Sequence, residues 1–328
     1  MVYLYAKRAG KTYYYLRVSK REGKRVIAKD VAYLGSDQKT IKEQLNKLDA
    51  YRDEIRAAHR TIDRFLASEH YLKKAQETKR KKQFFDDTEV EAVRLHFTEQ
   101  FKKLDQTTQE EFYEHFLVEF AHNSTAMEGN TITLEEATKL LLENSTPADR
   151  TPREIFDLKN TKDVFAWLRQ QQTPLTHELI IEIHKRLLKD IDPREGYRTH
   201  NVRVFKATFD TSPHQYIHSD MELLFTWLKE QQHNHPLIIA AAFHHKFEKI
   251  HPFADGNGRV GRVILNQLLM QHNYPPLTID KRRRNAYRTA LATADSAPLT
   301  EVPVDKYKQL IEYVAAEFVG SYWNNFLV

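Results

Sequence analysis

Residues 247–262 are the most informative stretch of the chain. They read Phe247-Glu-Lys-Ile-His-Pro-Phe-Ala-Asp-Gly-Asn-Gly-Arg-Val-Gly-Arg262. The apolar spacing before this stretch predicts a helix that runs into Ile250. Pro252 disfavours helical geometry at His251, so we expect the chain to turn there.

A second helix is expected directly after the turn. Gly256 and Gly258 can both adopt positive φ, and an apolar pattern then starts near Arg259. The segment therefore predicts a loop that leads into a helix N-terminus. The exposed amides and the dipole of such an end favour phosphate.

The side chains of this loop suit nucleotide chemistry. Arg259 and Arg262 are three residues apart and share one face of the first helical turn, and two guanidiniums there suit a polyphosphate. Asp255 is a hard oxygen ligand of the kind that Mg²⁺ on a nucleotide needs. His251 titrates near neutral pH, which makes it the candidate general base. Phe253, between polar neighbours, is expected to point into the core and fix the loop.

Each of these residue types alone is more often structural, as a capping Asp, a surface arginine or a core histidine. Their combination within twelve residues favours the functional interpretation. The run from His251 to Arg262 in fact resembles the signature loop of the Fic family, HxFx(D/E)GNGRxxR, with every fixed position present. The likeness extends over roughly residues 90–328.

The resemblance implies a mainly α fold, a Fic-type helical bundle with a short β-hairpin flap. It also implies an enzyme that moves AMP from ATP to a Ser, Thr or Tyr hydroxyl of a target protein. His251 would then be the catalytic base and Asp255 the Mg²⁺ ligand. The phosphates of ATP would be bound by Gly256, Asn257, Gly258, Arg259 and Arg262. Relatives that phosphorylate replace the second glycine, so kinase activity is less expected here; phosphocholine transfer stays open.

A second segment, Ser124-Thr-Ala-Met-Glu-Gly-Asn130, resembles the inhibitory motif of the family, (S/T)xxxE(G/N). Ser124, Glu128 and Gly129 match its fixed positions. The resemblance implies that Glu128 pairs with Arg262 where the γ-phosphate must bind, and in some relatives the same Glu supports AMP removal. The alternative is an ordinary helix C-terminus, with a solvated Glu128 and Gly129 as the cap.

A third segment, Gly196–Thr208, alternates polar and apolar residues from Asn201 onward, which predicts a strand or hairpin. It resembles the flap of the family, which would dock a target segment by strand addition through Val202, Val204 and Phe205. A surface hairpin without a ligand is the alternative.

Composition excludes several classes of protein. The 328 residues are 41% hydrophobic and 29% charged, a globular balance, and the absence of Cys excludes disulfides and thiolate metal sites. No apolar run reaches the ~18–20 residues of a membrane span. The first residues lack the apolar core of a signal peptide. We expect a cytoplasmic protein without a membrane partner.

Charge divides the chain in two. Residues 1–85 hold 22 Lys/Arg and 10 Asp/Glu, a balance of +12, whereas residues 86–328 hold 28 and 35, a balance of −7. We expect a small basic β module at 1–37, a long charged helix or linker at 38–88, and a catalytic domain at 89–328 that includes the inhibitory helix near 107–128.

The basic part leaves alternatives open. Its apolar stripe could form a coiled-coil seam, and hence a homodimer, or pack on the body; it comprises Ile41, Leu45, Leu48, Ile55, Ile62 and Leu66. The β module could bind nucleic acid within residues 1–85, recognise a protein, or only pack on the body.

From Thr88 onward the chain is expected to be helix after helix. Apolar spacing and two capping boxes, at Thr133 and Thr151, mark nine of them. They are expected near 107–127, 134–143, 152–170, 176–189, 219–231, 236–249, 259–272, 283–294 and 303–325.

These observations favour an autoinhibited protein adenylyltransferase with ATP and Mg²⁺ as cofactors. One alternative is a DNA-binding regulator that uses the Fic-like site as a nucleotide sensor. Another is a toxin-like module held by a partner, although an inhibitory Glu128 in the same chain would make that partner unnecessary.

Overall fold

The computed structural model describes residues 1–23, 25–171, 173–203 and 209–327. The chain divides into two compact units, unit 1 (Met1–Lys79) and unit 2 (Arg80–Val328). The boundary between the two units lies within a run of four basic residues, Lys79-Arg80-Lys81-Lys82. Within the described ranges, no helix is long and apolar enough to cross a membrane.

Unit 1 opens with a three-stranded antiparallel sheet in the order β1-β2-β3. The strands are β1 (Val2–Ala9), β2 (Lys11–Glu22) and β3 (Arg25–Gly35). The register pairs Tyr5 with Tyr15 and Tyr15 with Tyr33. The predicted β meander is therefore confirmed.

Three helices follow the sheet instead of the single long helix predicted for residues 38–85. They are α1 (Ile41–Asn46), α2 (Arg52–Ala57) and α3 (His59–Glu77). Non-helical dihedrals at Leu48 (φ −94°, ψ 70°) and an irregular residue at Ala58 (φ −96°, ψ 9°) separate them. Residues 78–87 are not helical. The long-helix prediction was wrong because the continuous charge pattern hides these breaks.

The apolar stripe of residues 41–66 covers the sheet of its own unit. Ile41, Leu45, Ile62 and Leu66 are buried together with strand residues, namely Val2, Leu4, Tyr14, Leu16 and Leu34. A three-stranded sheet needs such a cover for its apolar face. The stripe therefore serves the core of unit 1, an outcome that neither the coiled-coil interpretation nor packing on the helical body anticipated. The residues predicted as a separate linker up to 79 belong to this unit for the same reason.

Unit 2 is helical throughout its described secondary structure. The helices are α4 (Thr88–Glu99), α5 (Gln106–Met127), α6 (Leu134–Leu142), α7 (Pro152–Arg169), α8 (His177–Leu187), α9 (Ile217–Glu230), α10 (Pro236–Ile250), α11 (Asn257–Gln271), α12 (Arg284–Ala292) and α13 (Val304–Asn325). The nine marked helices are confirmed to within two residues at each end. The additional helix, α4, belongs to the helical region expected from Thr88 onward.

Local sequence explains several of these helix ends. Thr133 with Glu136, and Thr151 with Glu154, form the predicted capping boxes. His235 caps α10 through Nδ1, which accepts a hydrogen bond from the Leu237 amide at 3.1 Å. Satisfying these first-turn amides fixes where each helix begins.

Helix α10 is the centre of unit 2. Its residues 237–247 are all buried, and it contacts α9, α11 and α13. Its polar residues are therefore inside the core and need partners. The His245 ring is hydrogen bonded to the Tyr307 hydroxyl at 2.9 Å, and the Lys246 ammonium donates to the carbonyls of Pro298 and Glu301 at 2.9 and 2.6 Å.

Leu16→Ala tests the sheet–helix core of unit 1. Leu16 is fully buried on the central strand, so its truncation should cost about 2–5 kcal/mol of local stability. We expect amide hydrogen exchange in residues 1–36 to accelerate by at least about tenfold, measured by mass spectrometry on the whole chain. Val26→Ala, on the same sheet but 70% exposed, is the matched control. Equal acceleration in both variants would contradict this account of the core.

Candidate active site

The predicted break between two helices is present at His251. His251 ends α10 in the left-handed conformation (φ 54°, ψ 60°), and its amide still donates to the Phe247 carbonyl at 2.9 Å. Gly256 precedes α11 with φ 81°. A Cβ at Gly256 would come within 2.6 Å of Leu188 Cδ2, so both the dihedral and the close approach require glycine there.

Phe253 and Asn257 fix the loop from inside, and for Phe253 this was the expectation. The Phe253 ring is fully buried and stacks on His184 at 3.8 Å between centroids. The Asn257 amide accepts from the Phe253 backbone N–H at 2.9 Å and donates to its carbonyl at 2.8 Å. The Asn257 side chain is thus committed to the loop, and its backbone N–H lies in the first turn of α11, which has no side-chain cap.

Arg198, which the sequence interpretation did not single out, clamps the base of the loop. Its guanidinium donates to the carbonyl of His251 at 2.8 Å and to that of His200 at 2.7 Å, and it also reaches the Ser212 carbonyl. Its own amide donates to the Pro252 carbonyl at 2.9 Å. One buried cation therefore ties the end of α10 to the segment on both sides of residues 204–208. The sequence feature that could have pointed to Arg198 is its position in the segment Gly196–Thr208, which resembles the flap of the family.

The candidate base His251 is neutral at physiological pH. Its side chain is 18% exposed, and Nδ1 lies 3.2 Å from the Glu248 carbonyl oxygen. Burial, reinforced by the charge of Arg198, lowers the pKa of His251 to about 4. A neutral imidazole is the form that can take a proton.

Arg259 is buried in a small network of charges. Its Nη1 pairs with Asp157 of α7, and its Nη2 lies 3.8 Å from Asp255. Asp255 in turn accepts from Arg153, at the start of α7. Burial would raise the pKa of Asp255, but Arg259 and Arg153 outweigh it and hold the pKa below its usual value. Asp157 and Arg153 contact the candidate site, and the sequence interpretation missed them because they lie on α7, about a hundred residues before the loop.

Arg262 and Glu128 are paired, which is the geometry that the inhibitory-motif resemblance implies. Arg262 Nη2 donates to Glu128 Oε1 at 2.8 Å and to the Ser124 carbonyl at 2.8 Å, while Nε donates to Ser124 Oγ at 3.0 Å. Desolvation would raise the pKa of Glu128, but the charge of Arg262 and its hydrogen bond outweigh this and hold the pKa below its usual value. Gly129 follows the helix with φ 108°, as the capping alternative expected, but the solvated Glu128 of that alternative is contradicted by its pairing with Arg262.

The carboxylate of Glu128 sits directly over the start of α11. A Cβ built at Gly258 would overlap Glu128 Oε1. Gly258 is therefore the residue that lets a negatively charged group approach the first turn of this helix. The Glu128 side chain keeps 43% of its surface exposed, so the position is reachable from outside.

A layer of titratable side chains lies behind Arg262. Glu248 is only 18% exposed, and burial, opposed by Arg262 but reinforced by Glu128, raises the pKa of Glu248 to about 8. Its Oε1 has no hydrogen-bond partner among the described residues. His244 and Tyr287 are hydrogen bonded beside it, and burial lowers the pKa of His244 to about 3. The sequence placed Glu248 and His244 in the helix before the loop without giving either a role.

The flap residues are only partly described. Val202 is half-buried, and its carbonyl accepts from Thr211 Oγ1 at 2.8 Å. Val204 and Phe205 lie outside the described residues. In the described part of the chain, no group of three or more His, Asp or Glu side chains is arranged to hold a metal ion.

Glu248 makes a pH-dependent contribution to stability. The unfolded chain loses this proton near pH 4.5, whereas the folded protein keeps it until about pH 8. Folding therefore binds a proton in this window, and the free energy of unfolding falls as pH rises, by at most about 1.4 kcal/mol per unit. Glu248→Gln has no such proton to lose. The difference between its free energy of unfolding and that of the wild type should therefore increase, in favour of the variant, from pH 5 to 8.5.

Chemical denaturation followed by Trp fluorescence measures this effect, because all three Trp residues (Trp167, Trp227 and Trp323) are in unit 2. Glu230→Gln, at the exposed end of α9, is the control and should run parallel to the wild type. A Glu248→Gln curve that also runs parallel would contradict the buried, protonated Glu248.

Comparison with known proteins shows what this chain is similar to. Residues 174–269 match the family model of the Fic/DOC family. The protein adenylyltransferase Fic of Drosophila grimshawi is 32% identical over 184 residues, and that of Culex quinquefasciatus is 32% identical over 194 residues. These matches cover 54% and 56% of this chain but 38% of each relative. The chain thus spans about two fifths of the length of these relatives.

Two solved structures share the fold. A Fic-domain signaling protein from Bacteroides thetaiotaomicron has a TM-score of 0.64 at 22% identity, over 70% of this chain and 94% of that one. Fic-1 from C. elegans has a TM-score of 0.58 at 22% identity, over 88% and 81%. The mainly helical fold expected from the resemblance is therefore confirmed, and residues 174–269 are similar to the Fic/DOC family.

Proposed function

We propose that this protein transfers AMP from ATP to a Ser, Thr or Tyr hydroxyl of a target protein. The observation that carries the proposal is the loop of residues 251–262, which brings a neutral imidazole, a carboxylate and two arginines to the N-terminus of α11. Two relatives named protein adenylyltransferase Fic are 32% identical to this chain over 184 and 194 residues, which supports the proposal. Group transfer at phosphorus needs a base, charge neutralisation and positioning, and each has a candidate here.

His251 acts as the base in this proposal. The target hydroxyl oxygen bonds to the α-phosphorus of ATP, the bond from that phosphorus to the α,β-bridging oxygen breaks, and pyrophosphate leaves. The hydroxyl proton passes to His251, which is neutral and held in place by the Glu248 carbonyl. Because Arg198 fixes the backbone of His251, the imidazole is positioned before the substrate arrives.

The start of α11 binds the phosphates in this proposal. Its first turn, which includes Asn257 and Gly258, has no side-chain cap, and the Glu128 carboxylate lies where a Cβ on Gly258 would be. Arg262 supplies a positive charge at the same place, while Arg259 is already partly neutralised by Asp157. We therefore expect Arg262 to contribute more than Arg259 to binding the terminal phosphate.

Asp255 fits the role of a ligand to Mg²⁺ brought in with ATP. Its carboxylate is 35% exposed at the mouth of the loop, and Mg²⁺ is commonly held by one or two carboxylates plus substrate phosphates. The single carboxylate argues against a metal cage made of protein alone. The ion would neutralise phosphate charge, and Arg153 would have to release Asp255 for it to bind.

Glu128 inhibits the enzyme in this proposal. Its carboxylate occupies Arg262 and the start of α11, the two features that attract a terminal phosphate. Two anions cannot share one guanidinium without strong repulsion, so ATP must displace Glu128 or bind unproductively. Ser124 adds two hydrogen bonds to Arg262, and these hold the end of α5 against the site.

The segment of residues 201–208 docks the target in this proposal, through main-chain hydrogen bonds near Val202, Val204 and Phe205. Arg198 supports this role, because it binds carbonyls of both the segment's base and the catalytic loop.

Glu128→Gln tests the inhibition. Removing the charge of Glu128 leaves Arg262 available to the terminal phosphate of ATP, so AMP incorporation should rise by about tenfold or more. A tenfold rise corresponds to about 1.4 kcal/mol less competition from Glu128 for Arg262. His251→Ala in the Glu128→Gln background should lower incorporation by about 10²–10⁴-fold. The measurement is intact mass after incubation with Mg-ATP, read as an added AMP on the protein itself or on a candidate target.

Glu114→Gln is the matched control, because Glu114 is exposed on the same helix. It should behave like the wild type. Incorporation that survives His251→Ala would remove His251 as the base, and equal incorporation by Glu114→Gln and Glu128→Gln would remove the inhibitory role.

The pH profile tests the protonation state of His251. Because burial lowers its pKa to about 4, the base is already available at pH 5.5. The kcat/KM of Glu128→Gln should therefore stay nearly flat from pH 5.5 to 7.5 and fall only toward pH 4, since this parameter reports the free enzyme. An acidic limb centred near 6.5, the pKa of an ordinary histidine, would contradict the buried, neutral base.

A further inference from the structure

The uncovered face of the sheet in unit 1 is rich in tyrosine. One face packs on α1–α3 and includes Tyr14. Strand alternation places the other tyrosines of the sheet on the opposite face: Tyr3, Tyr5, Tyr13, Tyr15 and Tyr33. By register, Tyr5, Tyr15 and Tyr33 form a row across all three strands. The sheet thus presents an aromatic surface that its own core does not use.

The rings of this surface lie close enough to act together. Tyr15 and Tyr33 are 5.3 Å apart between centroids, and Tyr13 and Tyr33 are 6.4 Å apart. Tyr33 is 58% exposed. The Arg17 guanidinium lies 3.4 Å from the centre of the Tyr5 ring and pairs with Asp30. Large exposed aromatic groups are costly in water, and a contiguous set of them marks an interaction surface.

The charge around this surface is strongly positive. Residues 1–36 hold nine Lys/Arg and two Asp/Glu, a net charge of +7. Strands β2 and β3 extend past the end of β1, whose pairing stops at Val18. The resulting two-stranded arm carries exposed Lys20, Arg21 and Arg25, with Val26 70% exposed near its tip. The face therefore complements a polyanion.

We propose that this tyrosine face binds single-stranded nucleic acid. Unpaired bases would stack on the Tyr15 and Tyr33 rings, and the arm would contact the phosphates. Aromatic rings interleaved with cations are what sequence-tolerant binding of single strands uses, because every base has a π-face. A duplex keeps its bases stacked inside and offers them to no such platform. A second copy of the chain is disfavoured as the occupant, because two faces of the same positive charge repel.

Fluorescence anisotropy with the full-length chain tests the proposal. The probes are a fluorescein-labelled 20-nucleotide DNA, the same sequence as RNA, and its DNA duplex, each titrated at several salt concentrations. We expect at least one single strand to bind more tightly than the duplex. Tyr15→Leu together with Tyr33→Leu should weaken single-strand binding by about tenfold or more, whereas the two Tyr→Phe changes, which keep the rings, should leave it near the wild-type value.

The electrostatic part has a separate signature. Arg21→Gln with Arg25→Gln should flatten the dependence of log Kd on log salt by about 0.7 for each lost phosphate contact. The Tyr→Leu pair should weaken binding without changing this slope. Tyr216→Leu, at an exposed tyrosine of unit 2, is the matched control and should have no effect. Circular dichroism of each variant, and Tyr33→Ser as a single change at an exposed position, separate lost binding from lost folding.

Three results would overturn the proposal. The first is no binding of any single strand at 50 mM salt. The second is a duplex affinity that equals the single-strand affinity and is unchanged by the Tyr→Leu pair. Binding would then be only non-specific electrostatic attraction. The third is a concentration-dependent dimer of the wild type that the Tyr→Leu pair abolishes, which would make a second copy the occupant.

Discussion

The position of the candidate active site depends on where one fully buried helix stops. Helix α10 is enclosed by its neighbours along residues 237–247, so it cannot shift without breaking the core of unit 2. It ends at His251 in the left-handed conformation, and the following Pro252 prevents it from continuing. The left-handed conformation of His251 costs of order 1–3 kcal/mol, and the packing of the surrounding structure offsets this cost. Local restraints on His251 include the hydrogen bond from Arg198 to its carbonyl and that from its own amide to the Phe247 carbonyl.

Contacts with the core fix the path of the loop beyond His251. Phe253 turns inward onto His184, Asn257 closes the turn on the backbone of Phe253, and α11 starts with its amides free of a side-chain cap. The polar side chains that face these amides are then drawn from helices far away in sequence. Buried charges without partners are expensive, which explains why Arg259 meets Asp157 and Arg262 meets Glu128 and Ser124.

Arg262 stands between two carboxyl groups that differ in state. Glu128 is ionised and partly exposed, whereas Glu248 keeps its proton because burial raises its pKa to about 8. One guanidinium can balance one carboxylate, so the protonation of Glu248 keeps the charge of this layer matched. In the proposed function, Glu128 is the group that the terminal phosphate of ATP must displace. In unit 1, three helices cover one face of the small sheet. The other face is basic and rich in tyrosine, and the proposed catalytic mechanism does not use it.

The sequence alone determined much of this protein, and local interactions explain what it determined. Helix bounds, capping boxes at Thr133 and Thr151, the break at His251 and the inward Phe253 all follow from short-range propensity and spacing. The pairing of Glu128 with Arg262 was accessible only through the family resemblance of two separate motifs. Tertiary structure decided the partners of the loop residues and their pKa values, because these depend on which residues distant in sequence come into contact. Asp157, Arg153 and Arg198 reach the loop from other helices and segments, and the pKa values of His251 and Glu248 depend on burial that spacing cannot reveal. The breaks at Leu48 and Ala58 likewise follow from the need to cover a sheet, a demand that exists only once the strands have paired.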